Sequence, residues 1–201
     1  MNWKKEIKSW GIIVSVFAVI YYLGWYAPIV GKIQSIILST GLIKPNMEKP
    51  YEVGKDFDYS LKFTDLDGNL IDMQDFKNKT VFINLWATWC PPCRAEMPHI
   101  ASLYGKLKDE QDIAFLMVSL DKDIEKPKEY IKDQDFAFPV AHAGYGLNAS
   151  LKHSSIPTTL VISPEGKILF RQEGMSNFDT KEFRDFLTAK RPIIESNNKI
   201  E

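Results

Sequence analysis

The succession of apolar periodicities along this chain predicts an α/β domain, a central mixed β-sheet flanked by helices on both faces, with an N-terminal transmembrane helix in front of it. Three observations carry the prediction. An uncharged apolar run lies near the N-terminus, strand-length apolar runs alternate with helical patterns from about residue 51, and a Cys-x-x-Cys pair stands where one strand gives way to a helix. Setting the apolar segment aside leaves roughly 150 of the 201 residues, enough for one domain with its own core. Lys and Arg number 25 against 26 Asp and Glu, a formal charge of -1, so no broad positive field draws the protein to nucleic acid.

The uncharged run is 23 residues long, from Ser9 to Gly31. A membrane-spanning helix needs about 20 residues at 1.5 Å each, so its length suffices. Trp10 stands near one end and Trp25 and Tyr26 near the other, where amphipathic rings favour the interface. Lys4, Lys5 and Lys8 precede the run, which places the N-terminus in the cytoplasm by the positive-inside rule. The rest of the chain then faces the periplasmic or extracytoplasmic side of a cytoplasmic (inner) membrane crossed once. A cleaved signal sequence is the competing reading. It is disfavoured because the run exceeds the ~7 to 15 residues of a signal core and no small-x-small site follows it. A shorter apolar stretch, Ile33 to Ile43, is too short to cross alone and suits the membrane surface, and Pro45 to Pro50 reads as a linker. The expected organisation is a cytoplasmic N-terminus at 1–8, an anchor at 9–31, a membrane-proximal segment and linker at 32–50, the domain at 51–190 and a polar tail at 191–201.

Within the domain, Phe57 to Phe63 and the Asp67-Gly68 turn suggest an opening hairpin, and Thr80 to Trp86 a buried strand. A helix from Pro91 presents Ile100, Leu103, Tyr104 and Leu107 on one face. Ile113 to Leu120 reads as a second buried strand and Ile124 to Asp133 as a helix. Thr159 to Ser163 and Lys167 to Arg171 read as strands joined at Pro164-Glu165-Gly166, and Thr180 to Ala189 as a closing helix.

Only two cysteines are present, Cys90 and Cys93, and a disulfide between them closes too small a loop to act as a structural staple. With no other thiol in the chain, four-thiolate zinc and iron-sulfur sites are excluded, leaving redox chemistry as the economical reading. The strand-to-helix junction suits it. A helix N-terminus offers unpaired N–H groups and partial positive charge, which favour thiolate over thiol. Cys90 falls at the N-cap, Pro91 and Pro92 at the first two helical positions, and Cys93 at the third. The prolines carry no N–H, so the Cys93 N–H becomes the natural partner of the Cys90 sulfur. Cys90 is the expected nucleophile and Cys93 the resolving thiol.

The segment Asn84-Leu85-Trp86-Ala87-Thr88-Trp89-Cys90-Pro91-Pro92-Cys93-Arg94-Ala95-Glu96-Met97-Pro98 resembles the active-site segment of membrane-anchored, extracytoplasmic thioredoxin-like thiol-disulfide oxidoreductases of the TlpA/ResA type. Ile156-Pro157-Thr158-Thr159 is similar to the family's cis-proline loop, and Ser163-Pro164-Glu165-Gly166 to the hairpin after it; the likeness runs from about Tyr51 to Ala189. It implies a thioredoxin-like fold and a disulfide reductase with no cofactor beyond the redox-active Cys90–Cys93 pair and no metal. It implies catalytic roles for Cys90, Cys93, Glu96 and Pro157, and substrate-binding roles for Trp89, Pro91, Pro92, Ile156 and Thr158. Expected partners are proteins bearing disulfides, apocytochrome c or other envelope proteins among them, and a membrane thiol transporter of the DsbD/CcdA type as reductant.

The departures from cytosolic thioredoxin also inform. That protein has a buried Asp six residues before its first cysteine, where this chain has Asn84, which cannot take a proton. Acid/base duty then passes to Glu96, one helical turn past Cys93, whose charge would raise a nearby thiol pKa and whose protonated form can serve a leaving thiolate. On an exposed helix face Glu96 would instead be an ordinary solvated carboxylate, replaced at a cost of no more than about 0.5 kcal/mol. No His stands between the cysteines, so a reductant is expected, nearer thioredoxin than DsbA on a scale of roughly -270 to -120 mV. Trp86 and Trp89 are expected to shield the site, with a core position the even alternative for Trp86. Two other functions compete: a copper-binding chaperone using Cys90, Cys93 and His153, and a thiol peroxidase, for which the accompanying Arg and Thr arrangement is not found. His142 and His153 read more simply as loop residues.

Overall fold

The computed structural model describes residues 3–22, 25–47, 54–144 and 146–189. The expected domain start at Tyr51 and the polar tail at 191–201 lie outside the described residues. Two helices open the chain, α1 (Trp3–Tyr22) and α2 (Tyr26–Ser39). The 9–31 run, expected as one continuous span, is therefore divided: the two helices are bent by 98°. Pro28 supplies a reason, because a continuous helix would lose the hydrogen bond of its missing N–H, whereas in the first turn of α2 none is required. No single helix among the described residues is long and apolar enough to cross a membrane, but Ser9–Tyr22 and Tyr26–Ser39 together have the length and composition.

The sheet has seven strands: β1 (Lys62–Asp65), β2 (Leu70–Asp72), β3 (Thr80–Trp86), β4 (Ile113–Ser119), β5 (Val140–His142), β6 (Thr158–Ile162) and β7 (Ile168–Glu173). The remaining helices are α3 (Pro91–Leu107), α4 (Glu125–Gln134) and α5 (Lys181–Thr188). Strand order is β2-β1-β5-β4-β3-β6-β7. β3, β4 and β5 run parallel, whereas β6 pairs antiparallel with β3 and β7 with β6, so the sheet is mixed as expected.

The covering of the sheet differs from the expectation of helices on both faces. Ile100 and Leu103 of α3, Tyr130 of α4 and Phe183 and Leu187 of α5 all join one core with Phe82, Trp86, Phe115 and Met117. The opposite core, around Val81, Ile83, Leu85, Leu116 and Val118, is closed by Phe57, Tyr59 and Leu61 and by 3-10 turns bearing Met73 and Leu151. The handedness of crossovers accounts for this. From β3 through α3 to β4, and from β4 through α4 to β5, the chain steps the same way across the sheet, and two right-handed crossovers in one direction put both helices on one face.

β3 alternates along its length, sending Val81, Ile83 and Leu85 to one core and Phe82 and Trp86 to the other. Asn84 follows the even positions, which directs it toward α3. Outside this layer α2 packs on α3. Gly31 permits the approach, since a Cβ there would stand 3.0 Å from both the Arg94 Cβ and the Pro91 carbonyl oxygen. The 33–43 stretch, expected at a membrane surface, thus has one side against the domain, with Leu38 fully buried and Ile33 and Ile36 exposed.

Candidate active site

Cys90 and Cys93 form a disulfide at the start of α3, with Cα atoms 5.3 Å apart. Cys90 is the N-cap in an extended conformation, and its sulfur accepts from the Cys93 N–H at 3.3 Å, the partner left once Pro91 and Pro92 remove the intervening donors. Cys90 is 4% exposed and Cys93 fully buried. The expected order of access holds, although Cys90 is far less open than an exposed N-cap suggests. Its sulfur lies 3.7 Å from the Ile156 carbonyl oxygen, which the cis Ile156–Pro157 bond presents to it. Once the disulfide is reduced, that oxygen is an acceptor within reach of the thiol.

The two tryptophans part company. Trp86 is fully buried against Tyr130, with ring centroids 5.5 Å apart, and belongs to the core. Trp89, next to Cys90 in sequence, is 61% exposed. Pro91 and Pro92 are half-buried at the mouth, as is Ile156. Thr158, expected to meet substrate, is fully buried and donates through Oγ1 to the Ser155 carbonyl at 2.6 Å, so it holds the proline loop instead of facing a client. Glu173 secures the same loop from β7, accepting from the Ser154 N–H and from the Ser154 and Ser155 hydroxyls.

Glu96 is fully buried, not the solvated carboxylate of the alternative reading. One oxygen accepts from Asn84 Nδ2 at 2.6 Å and the other from the Ser176 N–H at 3.2 Å. Asn84 Nδ2 also donates to Thr159 Oγ1 at 2.9 Å, tying β3, β6 and α3 together under the cysteines. Burial raises the Glu96 pKa from 4.5 to about 8 against the opposing pull of the Asn84 and Ser176 hydrogen bonds. Its side chain is therefore a neutral acid near neutral pH and places no negative charge beside the thiols until the solution turns alkaline. This revises the expected charge effect, which is confined to higher pH.

A second carboxylate positions the approach to Cys90. Asp121, at the end of β4, accepts from the Thr88 N–H at 2.9 Å, the Thr88 hydroxyl at 2.7 Å and the Ser119 hydroxyl at 2.9 Å. Arg94 closes the other side, its guanidinium 4.4 Å above the Tyr130 ring and one nitrogen donating to the Thr88 carbonyl. Neither Asp121 nor Ser176 was singled out from the sequence. Asp121 had a findable signal, since it follows the carboxyl end of a parallel strand adjacent to β3, where α/β sites gather. Ser176 acts through its backbone, which leaves no mark in residue type.

His153 does not join the cysteines; its Nδ1 lies 3.1 Å from the Leu151 carbonyl oxygen. His142 contacts the Asp121 carbonyl through Nε2 at 2.7 Å. Among the described residues no three His, Cys, Asp or Glu side chains are grouped to hold a metal ion, so the three-ligand copper arrangement is not formed.

Comparison with known proteins agrees with this geometry. Residues 52–188 match the Redoxin family. The chain is 35% identical over 128 residues to thiol-disulfide oxidoreductase ResA of Bacillus thuringiensis subsp. konkukian, covering 63% of this chain and 73% of that one. It is 36% identical over 138 residues to ResA of Oceanobacillus iheyensis, covering 67% and 71% respectively. In structure it is similar to the thioredoxin domain of a thiol-disulfide oxidoreductase from Bacteroides vulgatus, with a TM-score of 0.59 at 23% identity over 69% of this chain and 99% of that one.

Proposed function

Because the chain belongs to the Redoxin family and is a thiol-disulfide oxidoreductase of the ResA type, we propose that it works as a reductant of protein disulfides on the outer side of a cytoplasmic membrane. The observation that carries the reading is the Cys90–Cys93 disulfide at the N-terminus of α3, with the Cys93 N–H on the Cys90 sulfur and the Ile156 carbonyl beside it.

In the reduced protein the helix end favours the Cys90 thiolate. Cys90 attacks one sulfur of a client disulfide, the client S–S bond breaks, and a mixed disulfide forms as the other client sulfur departs and takes a proton. Cys93 then gives up its proton and attacks the Cys90 sulfur, restoring the Cys90–Cys93 disulfide and releasing the second client thiol. Two electrons and two protons pass to the client. Glu96, neutral near pH 7 and one helical turn past Cys93, would be the acid that lends a proton to a departing thiolate, with Asn84 bonded to its carboxyl. Pro157 and the Ile156 backbone would receive the client as a short extended segment next to Cys90. A membrane thiol transporter of the DsbD/CcdA type would return the protein to the dithiol form, and apocytochrome c thiols or other envelope proteins are the client classes.

The location follows from the same reading. Lys4, Lys5 and Lys8 ahead of the apolar helices would keep the N-terminus in the cytoplasm and leave the domain outside. A reporter enzyme fused after Glu201 is expected to be active only when it functions outside the cytoplasm; activity of a cytoplasm-only reporter at that position would overturn the orientation. The exchange chemistry is tested by trapping. Cys93→Ser is expected to accumulate mixed disulfides through Cys90 that a reductant releases, and Cys90→Ser to accumulate none. Equal trapping by both variants would defeat the assigned order.

A further inference from the structure

The C-terminal end of α2 and the chain after it are fastened to the loop that closes over Glu96. The Leu38 carbonyl, in the last turn of α2, accepts from the Gly41 N–H at 3.0 Å and, as a second donor, from Asn177 Nδ2 at 3.3 Å. The Asn177 N–H donates to the Ile43 carbonyl at 3.0 Å. The Asn46 N–H donates to Gln172 Oε1 at 2.9 Å, and Gln172 Nε2 in turn to the Ser176 hydroxyl at 2.6 Å. Three successive points of the 38–46 segment thus bind the 172–177 stretch. Its Ser176 N–H is a donor to the Glu96 carboxyl, and its Gly174 N–H donates to the Pro157 carbonyl at 2.8 Å. Phe178 anchors the far end of the loop in the core, with its ring centroid 5.6 Å from that of Phe82.

We propose that the 38–46 segment is a positioning strap for the reaction: it holds the 174–177 loop down over Glu96 and keeps water from the carboxyl. The inference rests on Glu96 being the proton partner of the cysteines and adds that this property depends on the membrane-proximal segment, not on the thioredoxin-like domain alone.

Two effects of releasing the strap oppose one another. Loss of the Ser176 hydrogen bond would make Glu96 harder to ionise, whereas entry of water would make it easier. Desolvation is the largest influence on this carboxyl and the Ser176 bond the smallest, and entering water also replaces the lost donor, so hydration wins. The groups that meet Glu96 are Asn84 from β3, with Thr159 of β6 behind it, and Ser176 from the loop. Charged side chains of the packed elements are engaged elsewhere: Arg94 over Tyr130, His99 of α3 against the Ser35 carbonyl of α2, and Lys106 and Arg184 on Asp179. On α3 the Cys93 sulfur, one turn before Glu96, does not titrate while the disulfide is intact.

The test uses the full chain in detergent, oxidised so that no thiol contributes. Infrared difference spectra across a pH series read the carbonyl stretch of a protonated buried carboxyl, assigned to Glu96 by its loss in Glu96→Gln. The wild-type band is expected to disappear with a midpoint near pH 8. In Asn177→Ala, and independently in Leu38→Ala, the midpoint should fall by a pH unit or more while the sheet remains folded by circular dichroism. A strap that merely adds stability would leave the midpoint in place, and an unmoved midpoint in either folded variant overturns the proposal. Absence of the band in the wild-type protein at pH 6 would instead remove the proton-partner reading of Glu96, and the strap with it.

Discussion

Glu96 of α3 meets the 174–179 loop at Ser176, and Asp179 lies three residues further along that loop against Ser102 and Lys106 of α3, yet the surroundings drive the two carboxyls in opposite directions. Both are desolvated. For Asp179 that cost is outweighed by Lys106, Ser102 and Arg184, which close on it from α3 and α5, and its pKa is lowered. Glu96 receives only a side-chain amide and a backbone N–H, so desolvation prevails and the acid form persists to about pH 8. Depth and partners act together: Glu96 is fully buried with two neutral donors, whereas Asp179 keeps part of its surface and has Lys106, Ser102 and Arg184 beside it. The cation at the cysteine end of α3, Arg94, is turned to Tyr130 and the Thr88 carbonyl, and no cation contributes to the shift of Glu96.

Stability against pH separates the two carboxyls. An unfolded chain releases the Glu96 proton near 4.5, while the folded protein holds it to about 8. Stability is therefore greatest below the unfolded value, falls as pH rises through this window, and levels above it. At 1.36 kcal/mol per unit the full fall has an upper bound of roughly 5 kcal/mol. Chemical unfolding of the oxidised protein between pH 4 and 9 is expected to show this decline, and Glu96→Gln to remove it and exceed the wild type in stability near pH 8. Asp179 carries the opposite sign: its contribution is present above the ordinary Asp range and fades as pH falls through the lowered folded value. Asp179→Asn is expected to cost about 1 to 3 kcal/mol at pH 7, the scale for hydrogen bonds to charged groups, and much less near pH 3. Parallel pH slopes for the two variants would break the comparison.

Much of this contrast was written in residue types. Asn84 in place of an ionisable residue directed attention to Glu96, and the Pro91-Pro92 pair identified the Cys93 N–H as the partner of the Cys90 sulfur, as observed. Strands at Thr80–Trp86 and Ile113–Ser119 announced themselves by continuous apolar runs of the right length. The depth of Glu96 did not, because one of its donors is a backbone group 80 residues away and Asn84 meets it across a sheet-helix contact. The three-residue strand β5 is too short to show alternation, and its presence makes α4 a second crossover on the face of α3. The docking of α2 was hidden by composition. Apolar residues at 33–43 suit lipid and protein surfaces equally, and the close approach at Gly31 with the burial of Leu38 distinguishes them.

The proposed roles put the attack on Cys90 at the helix end and resolution on Cys93 beneath it. Reduced protein should be treated with a limiting amount of a small alkylating agent at several pH values, and the modified cysteine identified by peptide mapping. Cys90 is expected to be modified first at every pH, with Cys93 following only on unfolding, because of the two sulfurs' residues only Cys90 has a sliver of surface and the N-cap position. Preferential modification of Cys93 in the folded protein, or equal rates at the two sulfurs, would contradict it.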